Sequence, residues 1–221
     1  MRKRTRVILA VLLGLLLSVI LGLFLLYKAT QHVPEEYRAA LEVDPVRQRQ
    51  GSEEMLRQAG ALAGDLEKKG RWQVLFTAAQ INGWLAVDMV ENHADLLPEG
   101  FSDPRVAITP DCIMLFGRAR WGGHQSVVSL IVEPYLLEPN VLAVRIRDAR
   151  AGLVPLPLGD VLESLSDSAI RGGFDIHWQK AEGDPVALIS IPSPLENDGR
   201  TVSIDDLRLG EGKIFLSGKT E

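Results

Sequence analysis

The residues whose types could do chemistry are few and poorly placed for it. Four histidines, His32, His93, His124 and His177, are scattered along 221 residues without metal-ligand spacing. His124 and Ser126 stand two apart in a hairpin-like stretch, which is not the spacing of a nucleophile and its base. No Gly-x-Ser-x-Gly elbow is present. The run Leu216-Ser217-Gly218-Lys219-Thr220 has the ending of a phosphate-binding loop. However, Lys213 stands where the first glycine belongs, and only Glu221 follows, so no helix N-terminus is there to hold a phosphate. The acidic pairs Glu35/Glu36, Glu53/Glu54 and Asp205/Asp206 read as solvated surface, although distant carboxylates can meet in a cleft, as in glycosidases. Cys112 is the one cysteine, set in the apolar run 112–116, which excludes an internal disulfide and a thiolate cluster and reads as a small core residue. No catalytic residue, metal ligand or cofactor is assigned, and the expectation is a protein that is not an enzyme.

Charge sorts the chain into unequal parts. All five basic residues among the first 28 (Arg2, Lys3, Arg4, Arg6, Lys28) precede the first acidic one, Glu35; setting them aside takes the formal net charge from −5 to −10. So acidic a remainder repels phosphate backbones, and nucleic acid is excluded as a partner. Arg145, Arg147 and Arg150 form a basic stripe within it. Its reading is a salt-bridged outer face before a patch for anionic headgroups or a partner's carboxylates.

Ahead of these groups stands an apolar helix. Residues 7–26 carry no charge, and twenty residues at 1.5 Å span about 30 Å, the thickness of a bilayer's hydrocarbon core. A cleaved signal has a shorter apolar region followed by small residues. Here Tyr27-Lys28-Ala29-Thr30-Gln31 follows, so an uncleaved anchor is expected. The basic tail 1–6 stays in the cytoplasm, helix 7–27 spans the inner membrane once, and the rest lies outside. Ala10, Gly14, Ser18 and Gly22 recur every fourth residue as a groove of small side chains, suited to homo- or hetero-association with another membrane helix.

Beyond the membrane the pattern predicts a connector and stalk over 28–70, with a short helix at 35–41 and a longer one from Pro45 to about Lys69. In the longer helix Met55, Ala59, Leu62 and Leu66 make a narrow apolar stripe that Gly51, Gly60 and Gly64 weaken. The domain 71–221 opens with a strand carrying Trp72, Val74 and Phe76. Thr77 and Gln80 match a capping box, and the helix after it places Ile81, Trp84, Leu85 and Met89 on one face, expected to cover a sheet. Four strands follow at 106–108, 113–120, 127–137 and 141–150, joined by turns that imply antiparallel neighbours. The stretch 127–132 is apolar on both faces apart from Ser129, so its strand is central or covered on both sides. A second amphipathic helix at 158–171 carries Leu158, Val161, Leu162, Leu165 and Ala169 and is stopped by Gly172-Gly173. Strands at 174–180, 186–191, 201–209 and 213–217 complete the pattern. The class is α+β: a transmembrane helix, then a curved antiparallel β-sheet covered by two amphipathic helices.

Two segments resemble a family. Phe76-Thr77-Ala78-Ala79-Gln80-Ile81-Asn82-Gly83-Trp84-Leu85 is similar to the threonine-x-x-glutamine helix start of the YpmS-like bacterial envelope proteins, and Leu156-Pro157-Leu158-Gly159-Asp160-Val161-Leu162 to their later leucine-proline segment. The resemblance implies a single-pass envelope protein whose sheet and helices cradle an apolar ligand. The long helix over 45–69 departs from that pattern.

The functional expectation is a membrane-anchored extracytoplasmic module that binds a lipid or other apolar ligand between sheet and helices. The residues placed to line that site are Trp84, Leu85, Met89, Val128, Leu130, Leu162 and Leu165. The alternative is a structural or assembly component of an envelope complex, acting through protein–protein contacts.

Overall fold

The structure, a computed structural model, describes residues 2–121, 123–191 and 200–221, with side chains described from residue 12 onward except at Trp121. The turn glycine Gly122 lies outside these residues, as does the side chain of Ala10. Helix α1 (Arg2–Thr30) is continuous for 29 residues, about 43 Å at 1.5 Å per residue. Its stretch Leu12–Thr30 is long and apolar enough to cross a membrane, and none of it is buried within the protein.

Two helices then lead into the sheets. Helix α2 (Glu35–Leu41) is short. Helix α3 (Pro45–Leu66) starts where Pro45 needs no N–H partner and the Asp44 carboxylate accepts from the Val46 N–H at 2.8 Å. Strand β1 (Gly70–Thr77) runs straight into α4 (Ala78–Ala86). The capping box expected there is complete: the Gln80 N–H donates to Thr77 Oγ1 at 3.2 Å, and the Thr77 N–H donates to Gln80 Oε1 at 2.9 Å. One helix was expected to carry Ile81 through Met89; the chain instead breaks at Val87 and continues as α5 (Asp88–Asn92) and a 3-10 turn.

The main sheet is antiparallel and seven-stranded. β2 (Phe101–Ile108), β3 (Ile113–Trp121), β4 (His124–Glu138) and β5 (Val141–Ala151) are consecutive neighbours. β5 then pairs with β6 (Val154–Pro155) at one end and with β8 (Asp184–Ser190) at the other, and β7 (Ile176–Ala181) lies outside β8. The strands β9 (Val202–Gly210) and β10 (Lys213–Thr220) do not extend this sheet, as a single sheet would require. They join β1 in a three-stranded sheet of order β1-β10-β9. Period-2 alternation fixes which face a residue takes but not which strand lies beside it, so this division was illegible in the pattern.

Asn140, in the positive-φ region at the β4–β5 turn, ties the sheets together. Its amide donates to the Val202 carbonyl at 2.7 Å and accepts from the Ile204 N–H at 2.8 Å. Asn82 of α4 does the same for the sheet's edge: it donates to Val106 O at 2.8 Å and accepts from Val106 N–H at 2.7 Å, satisfying a β2 edge that would otherwise pair with another chain. The Gly-Lys-Thr run is ordinary strand. Gly218 admits the Trp72 ring, Lys219 is ion-paired with Glu221, and Thr220 Oγ1 donates to Leu66 O at 3.1 Å.

The segment read as connector and stalk packs against the sheets. Tyr37 of α2 is fully buried, its ring centroid 5.6 Å from that of Phe116, and its hydroxyl donates to the Asp103 carbonyl at 3.0 Å. Arg105 is buried beside it, with Nη1 donating to Pro104 O at 2.7 Å, while Arg118 pairs with the Asp103 carboxylate at 3.2 Å. Burial, reinforced by Asp103, pushes the Tyr37 phenol above its ordinary value, and burial lowers Arg105 against the pull of Asp103. Helix α3 meets α4 where glycine faces glycine. A Cβ on Gly83 would lie 2.5 Å from Gln48 O and 2.7 Å from the Gly51 carbonyl carbon, and one on Gly51 would lie 2.7 Å from Ala79 O. Gly51 thus admits a backbone crossing, whereas the open surroundings of Gly60 and Gly64 give those two no such role.

Candidate functional site

β4 is covered on both faces, as its two-sided apolar sequence predicts. Val127 faces the cluster of Tyr37 and Phe116, joined by Val33, Leu41 and Met114. Leu130 and Val132 face the opposite way and join Ile146 and Ala149 of β5 in a second buried cluster. Over that second cluster lies α6 (Leu158–Arg171), which contributes Leu158, Val161, Leu162 and Leu165; Leu156 and Trp178 close the rim. The helix is amphipathic by sequence: its four apolar residues over the cluster are partly buried, whereas Ile170 is 70% exposed. One polar relay crosses this apolar seam. Trp178 Nε1 donates to Ser166 Oγ at 2.8 Å, and Ser166 Oγ donates to Leu162 O at 2.8 Å.

The direction of α6 follows from its flanks. Leu156 N–H donates to Ala149 O at 2.8 Å, so the helix starts beside the end of β5. It stops in a Schellman turn: Gly173 has φ +78, its N–H donates to Ile170 O, and Phe174 N–H donates to Ala169 O. β7 then begins at Ile176, opposite Ile189, which is itself opposite Leu142 near the start of β5. Helix α6 therefore runs antiparallel to β5 for 14 residues, about 21 Å.

The end of β5 also meets α1. Leu153 N–H donates to Ala29 O at 2.9 Å, and Gly152 N–H donates to Val127 O at 2.8 Å. Gly152 lies at φ +59, and a Cβ there would stand 2.3 Å from Ala29 O and 2.7 Å from Thr30 O, so only glycine permits the approach. From the neighbouring β3–β4 turn, His124 meets the Tyr27 ring edge-on at 5.9 Å, and Gln125 O accepts from Gln31 Nε2 at 3.0 Å.

Of the seven residues expected to line one site, Leu130, Leu162 and Leu165 come together in the α6 seam. Val128 is half-buried on the same strand face. Trp84 and Leu85 belong to α4, which packs against α3, β1 and β2, and Met89 belongs to α5, which packs against α4; none of the three joins the main sheet's apolar cluster. The Trp84 ring lies 5.9 Å from His93. Between α3 and α5 an open cleft of about 290 Å³ is lined by Arg49, Ser52, Glu53, Leu56, Val87, Asp88 and Glu91, and by none of those seven. The basic stripe is internally paired: Arg145 with Glu182 at 2.9 Å, Arg147 with Glu133 at 2.6 Å and Asp184 at 2.7 Å, and Arg150 with Asp148 at 2.5 Å. Sequence patterning missed Tyr37, a single aromatic in a charged seven-residue helix, and Gly152, whose Gly-Leu turn announces nothing of the helix it touches.

Compared with family models, curated proteins and solved structures, the chain matches nothing.

Proposed function

We propose that this chain is a single-pass membrane protein, anchored by α1, whose extracytoplasmic domain binds a lipid or other apolar ligand beneath α6. The observation that carries the reading is the seam itself: an amphipathic helix lays Leu158, Val161, Leu162 and Leu165 on a buried apolar sheet surface, and those side chains stay only partly buried. Full burial of a leucine-class side chain is worth roughly 1.5–3 kcal/mol, so covering the exposure that remains on each adds a fraction of that. An acyl chain or similar ligand drawn under the helix would cover that remaining exposure. The basic residues before the helix favour a cytoplasmic N-terminus. The contacts of Tyr27, Ala29 and Gln31 with the folded domain favour an anchor that is retained, because cleavage would remove partners the domain uses. The same reading accommodates the resemblance to the YpmS-like envelope proteins.

Native mass spectrometry of the full chain released from detergent tests it. An added mass extractable as lipid is expected, and Leu162→Asp or Leu165→Asp should lower the occupied fraction at least tenfold, because a carboxylate then faces the acyl chain. A clean apo mass from folded protein would overturn the reading.

A second reading, an assembly component, is favoured by α1 itself. Cβ atoms at Gly14 and Gly22 would meet nothing within 4 Å, and Ser18 satisfies its hydroxyl within the helix by donating to Leu15 O at 2.7 Å. The face is smooth and open to a second helix. Gly14→Leu combined with Gly22→Leu should abolish cross-linking of α1 to neighbouring helices in native membranes; unchanged cross-linking would remove this version's support.

A further inference from the structure

The meeting of α1 with the ends of the main sheet fixes the height of the domain above the bilayer. The uncharged run ends at Leu26, and Ala29 lies three residues further, about 4.5 Å along the helix. The polar layer of a bilayer is about 5–7 Å deep on each side. The turn that donates to Ala29 O therefore stands within that layer, and at its tip is Leu153, 52% exposed. A leucine there is ordinary solvent-facing surface if the domain floats free, but it borders acyl chains if the domain rests on the membrane.

We infer that the β5–β6 turn at Gly152-Leu153 is a second membrane contact, a foot by which the domain rests on the lipid surface beside its own anchor. The inference builds on the reading of α1 as a retained membrane span. Three observations converge on it. The depth is set by a backbone hydrogen bond and by a glycine that no larger residue can replace, so it does not depend on a flexible side chain. Lys28 of α1 and Arg120 beside the neighbouring turn lie at this same end, and their sign suits anionic headgroups. Tyr27, an aromatic with a polar tip, marks the interface level on α1 and meets His124 of the adjoining turn. The partner is the bilayer surface itself. Because α6 starts five residues after Leu153, the foot also sets the mouth of the apolar seam against the lipid.

Site-directed spin labelling of the full chain in nanodiscs containing anionic lipid tests this. In a Cys112→Ser background, single cysteines replace Leu153, Leu21 within the span and Glu211 at the β9–β10 turn. Collision rates with oxygen and with a water-soluble nickel chelate report depth. The Leu153 label should be shielded from nickel at least threefold relative to Glu211, while Leu21 is the most shielded. A Leu153 label as nickel-accessible as Glu211, with Leu21 still shielded, overturns the foot and leaves the anchor intact. A nickel-accessible Leu21 overturns the anchor and the foot with it. In parallel, a benzophenone amino acid at position 153, with Cys112 retained, should photo-cross-link to lipid; adducts no more frequent than at position 211 would also sink the proposal.

Discussion

Replacing Gly83 with valine should destabilise the domain by about 3 kcal/mol or more, at the upper end of what overpacking costs. The new Cβ would stand 2.5 Å from Gln48 O, 2.6 Å from Ser52 N and 2.7 Å from the Gly51 carbonyl carbon. These are backbone atoms of α3, held by their own helical hydrogen bonds, so no rotamer change relieves the clash and the two helices must move apart. Separation would strip cover from Ser52, which is only 4% exposed, and loosen the adjoining Asn82 of α4 from Val106. The edge of the main sheet is thus coupled to the glycine contact. A glycine exchange in α3, away from the crossing, supplies the control. Gly60 is exposed in a helix interior with nothing within 4 Å of a built Cβ, so Gly60→Ala should stabilise by roughly 0.4–1 kcal/mol through the unfolded chain alone. Urea midpoints for the two variants moving in the same direction would contradict this account of the crossing.

Tyr37→Ala should cost about 3–5 kcal/mol, the range for deleting a fully buried aromatic ring. Tyr37→Phe keeps the packing on Phe116 and loses only the hydrogen bond to Asp103 O, about 1 kcal/mol. The two variants separate the ring from its hydroxyl, and a Phe variant as damaging as the Ala variant would refute the assignment. A pH dependence follows as well. The phenol is held above its ordinary value of 10.0, first by burial and then by the Asp103 carboxylate. The fold therefore favours the protonated form. Its contribution is complete below pH 10 and is lost as pH climbs through the raised value. Thermal melts of wild type should fall more steeply above pH 10 than those of Tyr37→Phe; parallel curves would show that Tyr37 does not titrate on unfolding.

What was legible in the sequence was whatever neighbouring residues decide among themselves. Thr77 and Gln80 announced a helix start because the capping bonds span three residues. The second helix was bounded at 158–171 because Pro157 precedes it and a glycine pair supplies its positive-φ stop. The two-sided burial of β4 could be read from the near-absence of polar residues in 127–132. What escaped was decided by residues far apart. Gly51 looks like a weak point in a helix until the partner glycine 32 positions later comes to face it. Trp84 and Leu85 have the spacing of a sheet cover, but periodicity does not name the partner, and their helix lies against α3 and the β2 edge. The seam was half visible: Leu130, Leu162 and Leu165 were named from pattern, while Trp178, its tether to Ser166 and the start of α6 beside Ala149 depend on tertiary placement.

The pairing of β1 with β10 carries a consequence for how the chain is made. Gly70 is registered against Thr220, 150 positions later, so β1 leaves the ribosome long before its strand neighbour β10 exists. At 5–20 residues per second the delay is roughly 8–30 s. Throughout that interval Trp72 and Val74, buried in the finished fold, have no β10 to hide them, and the backbone of β1 has no ladder to join. The helices and the main sheet can form first from nearer contacts. The small sheet closes last, and a nascent chain stalled before residue 213 would expose a tryptophan-bearing edge to any chaperone or protease at the point of emergence.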